Sequence, residues 1–364
     1  IVSLVVACIG ASMLFIRAQE KYVIRLGCHV PLSGGLARHG EWYLRGIKLA
    51  VKHFEEDYGY KVELIVRDDQ SDPKIAAEVV EELCTEYRVQ AIVGGYGSHL
   101  VGAASEVSEK YGVVYVTNAG IAEELIKRGY RYFFRLNNLQ SYARAQAGFC
   151  EMVSVKRVAI IYRYDVPSTR DLAERVKLLL EGAGIDVVLF EGFPKRTTDF
   201  TTILTKVSMR SAEILICEGF IPDYEACLRD CRLLNITLKA WIGFGGVVTN
   251  SFIRSLGDLS EYCYGTAPWA AGAVAEVIRE LEERFVRDYE AEYGEKPDYL
   301  VALGYSPARV LLEAVRKLIK VGRELTGDRI REELLKTDMD TLCGHVKFDE
   351  KGENIAASCL LCQI

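Results

Sequence analysis

From residue 22 onward the chain alternates two hydrophobic rhythms. Short apolar runs rich in β-branched residues (YVIRLGCHV, VELIVRDD, QAIVGG and GVVYVTN) have the near-continuous hydrophobicity of strands buried on both faces of a parallel sheet. Longer amphipathic stretches separate them. EWYLRGIKLAVKHFEEDYG places its apolar residues at helical spacing and stops at Gly59, and DPKIAAEVVEELCTEY opens on an Asp–Pro helix-start signal. A second series repeats the rhythm with KRVAIIYR, DVVLFEGF, AEILICEG and KAWIGFG as strands, and with helices such as STRDLAERVKLLLEGAG between them. Strand–helix alternation with short connections predicts right-handed crossovers and open parallel sheets. Two series predict an α/β protein of two doubly wound parallel-sheet lobes.

The tail changes the order. AEVIRELEERFVRDYEAEYGEKP and SPARVLLEAVRKLIKVG read as long amphipathic helices, and HVKFDEKGENIAASCLLCQI reads as a closing hairpin turning at Glu350–Gly352. Late elements must dock on lobes already built, so several crossovers between lobes are expected. The expected division is 22–137 with 268–341 in an N-terminal lobe and 138–267 with 342–364 in a C-terminal lobe. No solenoid repeat and no Pro- or Ser-rich linker interrupts this plan.

Composition narrows the function. The chain has 364 residues, half of them apolar, and a net charge of −6 with no basic block, which argues against nucleic acid as a partner. Asn and Gln together number 12 against 20 Tyr, a composition leaning toward a thermophilic source. The first sixteen residues carry no charge before Arg17, so 1–21 is expected to be a signal-peptide remnant or membrane anchor of an exported protein, with a buried core helix as the alternative. Val5 to Cys8 loosely fits a lipobox, but apolar sequence rather than a polar tether follows Cys8. The eleven cysteines include Cys227 and Cys231 on one helix face and Cys359 and Cys362 near the terminus. No histidine stands at zinc-ligand spacing beside either pair, so buried thiols or a disulfide are expected, and no metal or cofactor.

The stretch VGGYGSHLVGAASEV, residues 93–107, is a glycine-rich turn leading into a helix, where free amides and the helix dipole favour an anion. It lacks the lysine and Ser/Thr of a phosphate loop, and its glycines do not fit a dinucleotide fingerprint. Ser98 and the amides of Gly97 to His99 suit a carboxylate, while His99 alone reads as a surface residue. The one enzyme-like signal is Gly304-Tyr305-Ser306-Pro307-Ala308, one residue short of a nucleophile elbow, with Asp340 and His345 following in hydrolase order. Pro307 argues against it, because a proline after Ser306 makes that serine an expected N-cap.

These motifs resemble, in order and spacing, the periplasmic binding proteins of type I fold that serve branched-chain amino acid ABC transporters. PLSGGLARHGEWYLRGIKLAV, RDDQSDPKIAAEVVEEL, GGYGSHLVGAASEVSEKYGVVYVTNAG, YFFRLNN, KRVAIIY, TTDFTTILTKV and VKFDEKGE carry the resemblance over Tyr22 to Gln363. It implies a non-enzymatic clamshell with a ligand cleft between its lobes, acting as a monomer outside the cytoplasm. Such a protein captures a small carboxylate by lobe closure and delivers it to permease subunits in the membrane. A ligand-sensing receptor of the same fold is one alternative, and a serine hydrolase using Ser306 is another.

The resemblance also implies ligand-facing positions. These are Ser33, Gly34 and His39 in the first loop; Tyr96, Gly97 and Ser98 in the carboxylate turn; and Ala119, Gly120 and Ile121 in the next loop. In the second lobe they are Ser168, Phe220 and Gly245, with Trp269 at a crossover. Three depart from the family pattern. Ile121 stands where a hydroxyl is usual, Ser168 where a tyrosine is usual, and Gly245 where an acid normally pairs the ligand ammonium. A buried ammonium without a carboxylate costs several kcal/mol, so the ammonium end is expected to be weakened unless Glu218 or Asp165 supplies a displaced carboxylate.

Overall fold

The computed structural model describes residues 23–364, and the expected leader or anchor at 1–21 lies outside the described residues. In chain order the first elements are β1 (Val23–Val30), α1 (Ala37–Tyr58), β2 (Lys61–Asp68), α2 (Pro73–Thr85), β3 (Ala91–Val93), α3 (Ser98–Tyr111), β4 (Val114–Thr117), α4 (Glu123–Lys127) and β5 (Phe133–Arg135). The second series is α5 (Leu139–Met152), β6 (Arg157–Arg163), α6 (Pro167–Gly182), β7 (Asp186–Phe193), α7 (Thr201–Met209), β8 (Ile214–Glu218), α8 (Ile221–Leu233), β9 (Ala240–Gly243), α9 (Asn250–Leu256) and β10 (Cys263–Ala267). The tail forms α10 (Arg279–Tyr293), α11 (Tyr299–Lys320), α12 (Gly327–Leu334), β11 (Asp338–Thr341), β12 (Gly344–Lys347) and β13 (Leu360–Gln363).

Two open sheets result. The first runs β2-β1-β3-β4-β5, all parallel. The second runs β13-β10-β9-β8-β6-β7, parallel except for the antiparallel terminal strand β13 on β10. Period-two alternation sorts each strand between two cores. Ile24, Leu26, Cys28 and Val30 of β1 face α1 and α11, whereas Ile92 and Tyr115 of the next strands face α2 and α3. In the second sheet Ile214 and Ile216 face α5 and α6, and Leu215 and Cys217 face α7 to α9. Each sheet is therefore a three-layer α/β/α lobe, doubly wound as expected.

Local signals explain the edges of several helices. Asp72 caps α2 by accepting from the Lys74 and Ile75 amides, with Pro73 at the first helical position. Gly59 ends α1 in the left-handed conformation at φ +69°.

The tail divides differently from the sequence expectation. Leu342, Cys343, Val346 and Phe348 sit in the first lobe's core, and Phe348 packs edge-on against Phe134. The segment 342–364, read as one piece of the C-terminal lobe, is thus split, and only its final strand joins the second sheet. The closing hairpin is likewise corrected: β12 pairs with β11, and β13 pairs with β10 in the other lobe. A tight turn does stand at 349–352, where the Gly352 amide donates to the Asp349 carbonyl (3.0 Å). Among the described residues no helix is long and apolar enough to cross a membrane.

Candidate functional site

An open α/β sheet leaves a crevice where its strand order reverses, outside the C-terminal ends of the two strands flanking that point. The first sheet reverses between β1 and β3, and the second between β6 and β8. Segments of both lobes come together where the lobes meet. The Gly246 amide donates to the Tyr299 hydroxyl (3.3 Å), bringing the loop after β9 to the start of α11. On another side Arg175 of α6 pairs with Glu123 of α4 (3.2 Å), and Ile121 packs against the second lobe's core.

In the first lobe the turn after β3 is shaped by Gly95 (φ +72°) and Gly97 (φ +99°), conformations that favour glycine. The Gly95 amide donates to the His29 carbonyl (2.7 Å). Beneath the turn lies a buried polar chain. His29 Nδ1 donates to Asp69 Oδ2 (3.0 Å), and the Tyr115 hydroxyl bonds His29 Nε2 (2.6 Å). Ser98 begins α3, and its Oγ accepts the Ala122 amide (3.1 Å), which leaves the hydroxyl proton to donate. The Gly97 amide, expected to be free, is taken by the Ala119 carbonyl (3.3 Å). The donors at this helix start are therefore the Ser98 hydroxyl and the amides of Ser98 and His99, which have no carbonyl one turn back.

Tyr96, in the turn just before these donors, belongs to an aromatic cluster. It stacks on His39 (centroids 5.2 Å apart) and meets Tyr43 edge-on (6.2 Å). Burial, with the Arg38 charge beside it, holds the His39 imidazole below its ordinary pKa, so it is an uncharged wall at neutral pH. From the second lobe Tyr142 packs edge-on against Phe244 (5.0 Å).

The remaining expected positions fall into three groups. Ala119 is half-buried, and Gly120 is buried against Val101, its carbonyl facing Arg135 Nη1 (3.5 Å). Across the cleft Ser168 is half-buried in the first turn of α6, and the Gly245 amide donates to Thr266 Oγ1 (3.2 Å). Phe220, 42% exposed, lies under the Arg163 guanidinium (4.9 Å) and is a rim residue.

Three positions are engaged within the first lobe itself. The exposed Ser33 donates its hydroxyl to Asp68 Oδ2 (2.7 Å), and Gly34, at φ +78°, lies against the Gln70 carbonyl; both brace the first loop. Trp269 lies in the first lobe's core, edge-on to Phe285 (5.5 Å), with its indole donating to Glu282 Oε1 (2.9 Å). The candidate Asp165 is paired with Arg163 (2.9 Å).

The hydrolase reading fails on geometry. Ser306 is not an N-cap. It lies inside α11, which Asp298 caps eight residues earlier, and its Oγ donates to the Ala302 carbonyl (3.0 Å). His345 has both ring nitrogens engaged, Nδ1 by Asp340 (2.8 Å) and Nε2 by Asp338 (3.0 Å). Neither is left to act as a base for Ser306. All ten cysteines among the described residues are free thiols, and no cluster among the described residues is arranged to hold a metal.

Sequence reading missed Tyr142, Phe244 and Tyr299. Tyr299 alone carried a usable signal, because Asp298 before an apolar run is itself a helix start.

The comparisons agree with this architecture. Residues 23–364 match the family model described as periplasmic binding protein. A curated Leucine-, isoleucine-, valine-, threonine-, and alanine-binding protein of Pseudomonas aeruginosa is 24% identical over 335 residues, covering 91% of this chain and 87% of the relative. A leucine binding protein, LivK, from Thermotoga maritima superposes with a TM-score of 0.79 at 23% identity, over 94% of this chain and 95% of that one. A solute binding protein from R. palustris in complex with benzoate superposes at 0.75 with 15% identity, over 94% and 96% of the two chains. The chain belongs to the periplasmic binding protein family.

Proposed function

We propose that this protein is the substrate-binding component of an ABC importer, working as a monomer outside the cytoplasm and handing a small carboxylate ligand to permease subunits. One observation carries the reading. Ser98 keeps a donatable proton at the open N-terminus of α3, inside a crevice walled by Tyr96 and His39. That set of donors suits a carboxylate in an apolar setting, and it holds no nucleophile–base pair. The ligand class is an amino acid or a related apolar acid, in keeping with the names of the relatives.

Ser98→Ala removes one charge-assisted hydrogen bond, worth about 1.5–3 kcal/mol, so affinity falls roughly 10- to 100-fold. Calorimetric titration of both proteins with leucine, 4-methylpentanoate and benzoate checks this; unchanged affinity in the variant rejects the carboxylate grip. The Arg175–Glu123 pair is partly exposed, at 33% and 19%, and so contributes little. Arg175→Ala is expected to weaken binding only about two- to fivefold, by favouring the open form, and small-angle scattering of the ligand-free variant reports that opening.

A further inference from the structure

The second lobe holds a buried acid whose carboxyl oxygens make no hydrogen bond. Glu218 ends β8, one of the two strands flanking the reversal point. Alternation places its side chain on the α5 and α6 face, with Ile214 and Ile216. The residue is fully buried, and neither carboxylate oxygen has a hydrogen-bond partner. Gln146 of α5 lies near enough to ease the charge, yet both polar atoms of its amide are also buried and unpartnered. Gln146 is one helical turn beyond Tyr142, the residue that packs on Phe244 at the cleft.

A buried acid in a native fold is normally hydrogen-bonded or paired, and leaving one bare is costly. Local cations do not resolve it. Arg163, on the neighbouring strand, is held by Asp165 (2.9 Å) and Asp223 (3.4 Å), and among the described residues no metal cluster includes Glu218. A bare buried acid at a strand end beside the reversal point is what a bound polar ligand would complete.

We propose that Glu218, with Gln146 behind it, receives the ammonium group of an amino-acid ligand, replacing the acid missing at Gly245. The assignment rests on the carboxylate-binding function proposed above and extends it to the other end of the ligand. Burial holds the empty Glu218 carboxyl up at about 8, so at neutral pH it carries a proton. The groups around it are Gln146 of α5, Tyr162 of β6, Cys217 of β8 and Tyr224 of α8, and none brings a positive charge. An arriving ammonium favours the ionised form, so binding releases that proton. Affinity then rises with pH, by at most tenfold per unit, until about pH 8, and levels off above it.

The test is titration calorimetry of the protein with leucine, 4-aminobutyrate and 4-methylpentanoate, in buffers of different ionisation enthalpy, at pH 6 to 8.5. The expected result is release of up to one proton with an amino acid and none with 4-methylpentanoate. Glu218→Gln should abolish the release and weaken amino-acid binding at least tenfold, while sparing 4-methylpentanoate. The wild-type proton count needs no variant, so it decides the matter even if Glu218→Gln fails to fold. Amino-acid binding without proton release overturns the assignment. Binding of 4-methylpentanoate but of neither amino acid also overturns it, and leaves the carboxylate function standing. Binding of none of the three, nor of benzoate, overturns the function itself.

Discussion

Gly304→Val is expected to destabilise the first lobe by about 3–5 kcal/mol, lowering its thermal midpoint by roughly 10 °C or more. The helices α1 and α11 cross at backbone contact. A Cβ on Gly304 would lie 1.9 Å from the Tyr43 carbonyl oxygen, and one on Gly46 would lie 1.9 Å from that of Val301. Neither obstacle is a side chain that can turn away, so the helices must separate. Separation opens the core that holds Tyr43, Ile47, Leu300 and Leu311. Gly148→Ala is the control: that helical glycine has open space around it, and alanine should leave stability unchanged or raise it by up to about 1 kcal/mol. Differential scanning calorimetry of the two variants makes the comparison.

Gly95→Val should abolish ligand binding at any practical concentration. At φ +72° a β-branched residue is strained, and its Cβ would lie 2.2 Å from the Tyr115 hydroxyl and 3.1 Å from His29 Nε2. Relief requires moving either the turn or the buried Asp69–His29–Tyr115 chain that supports it. Ser98 and the open amides of α3 start three residues later, so a displacement there misplaces every donor proposed to hold the carboxylate. Folding costs follow as well, on the order of 2–4 kcal/mol. Loss of binding in a fraction that remains folded by circular dichroism separates the two effects.

Much of this was legible in the sequence because buried parallel strands leave a strong mark. Runs such as KRVAIIYR and AEILICEG, spaced by amphipathic helices, predict two doubly wound lobes, and the glycine turn before Ser98 predicts an anion site. The departures lie where long-range pairing overrides local signals. A proline at 307 marks a helix start by local rules, yet packing against α1 carries α11 straight through it. Two runs flanking Gly352 read as a hairpin, yet one completes the first lobe's core and the other finds the edge of β10. Trp269 sits at a crossover and looked like a cleft wall, but its indole is anchored inward by Glu282, thirteen residues on. Glu218 showed only as an acid at a strand end. That it stands bare depends on α5 covering it with Gln146, a contact between elements far apart in the chain.

The most direct measurement is a crystal structure of the protein grown with leucine. The expected density lies between the two reversal points, its carboxylate within hydrogen-bond distance of Ser98 Oγ and the Ser98 and His99 amides, and its ammonium against Glu218. Leucine bound elsewhere, or bound in the cleft with its carboxylate turned away from Ser98, would contradict this description of the site.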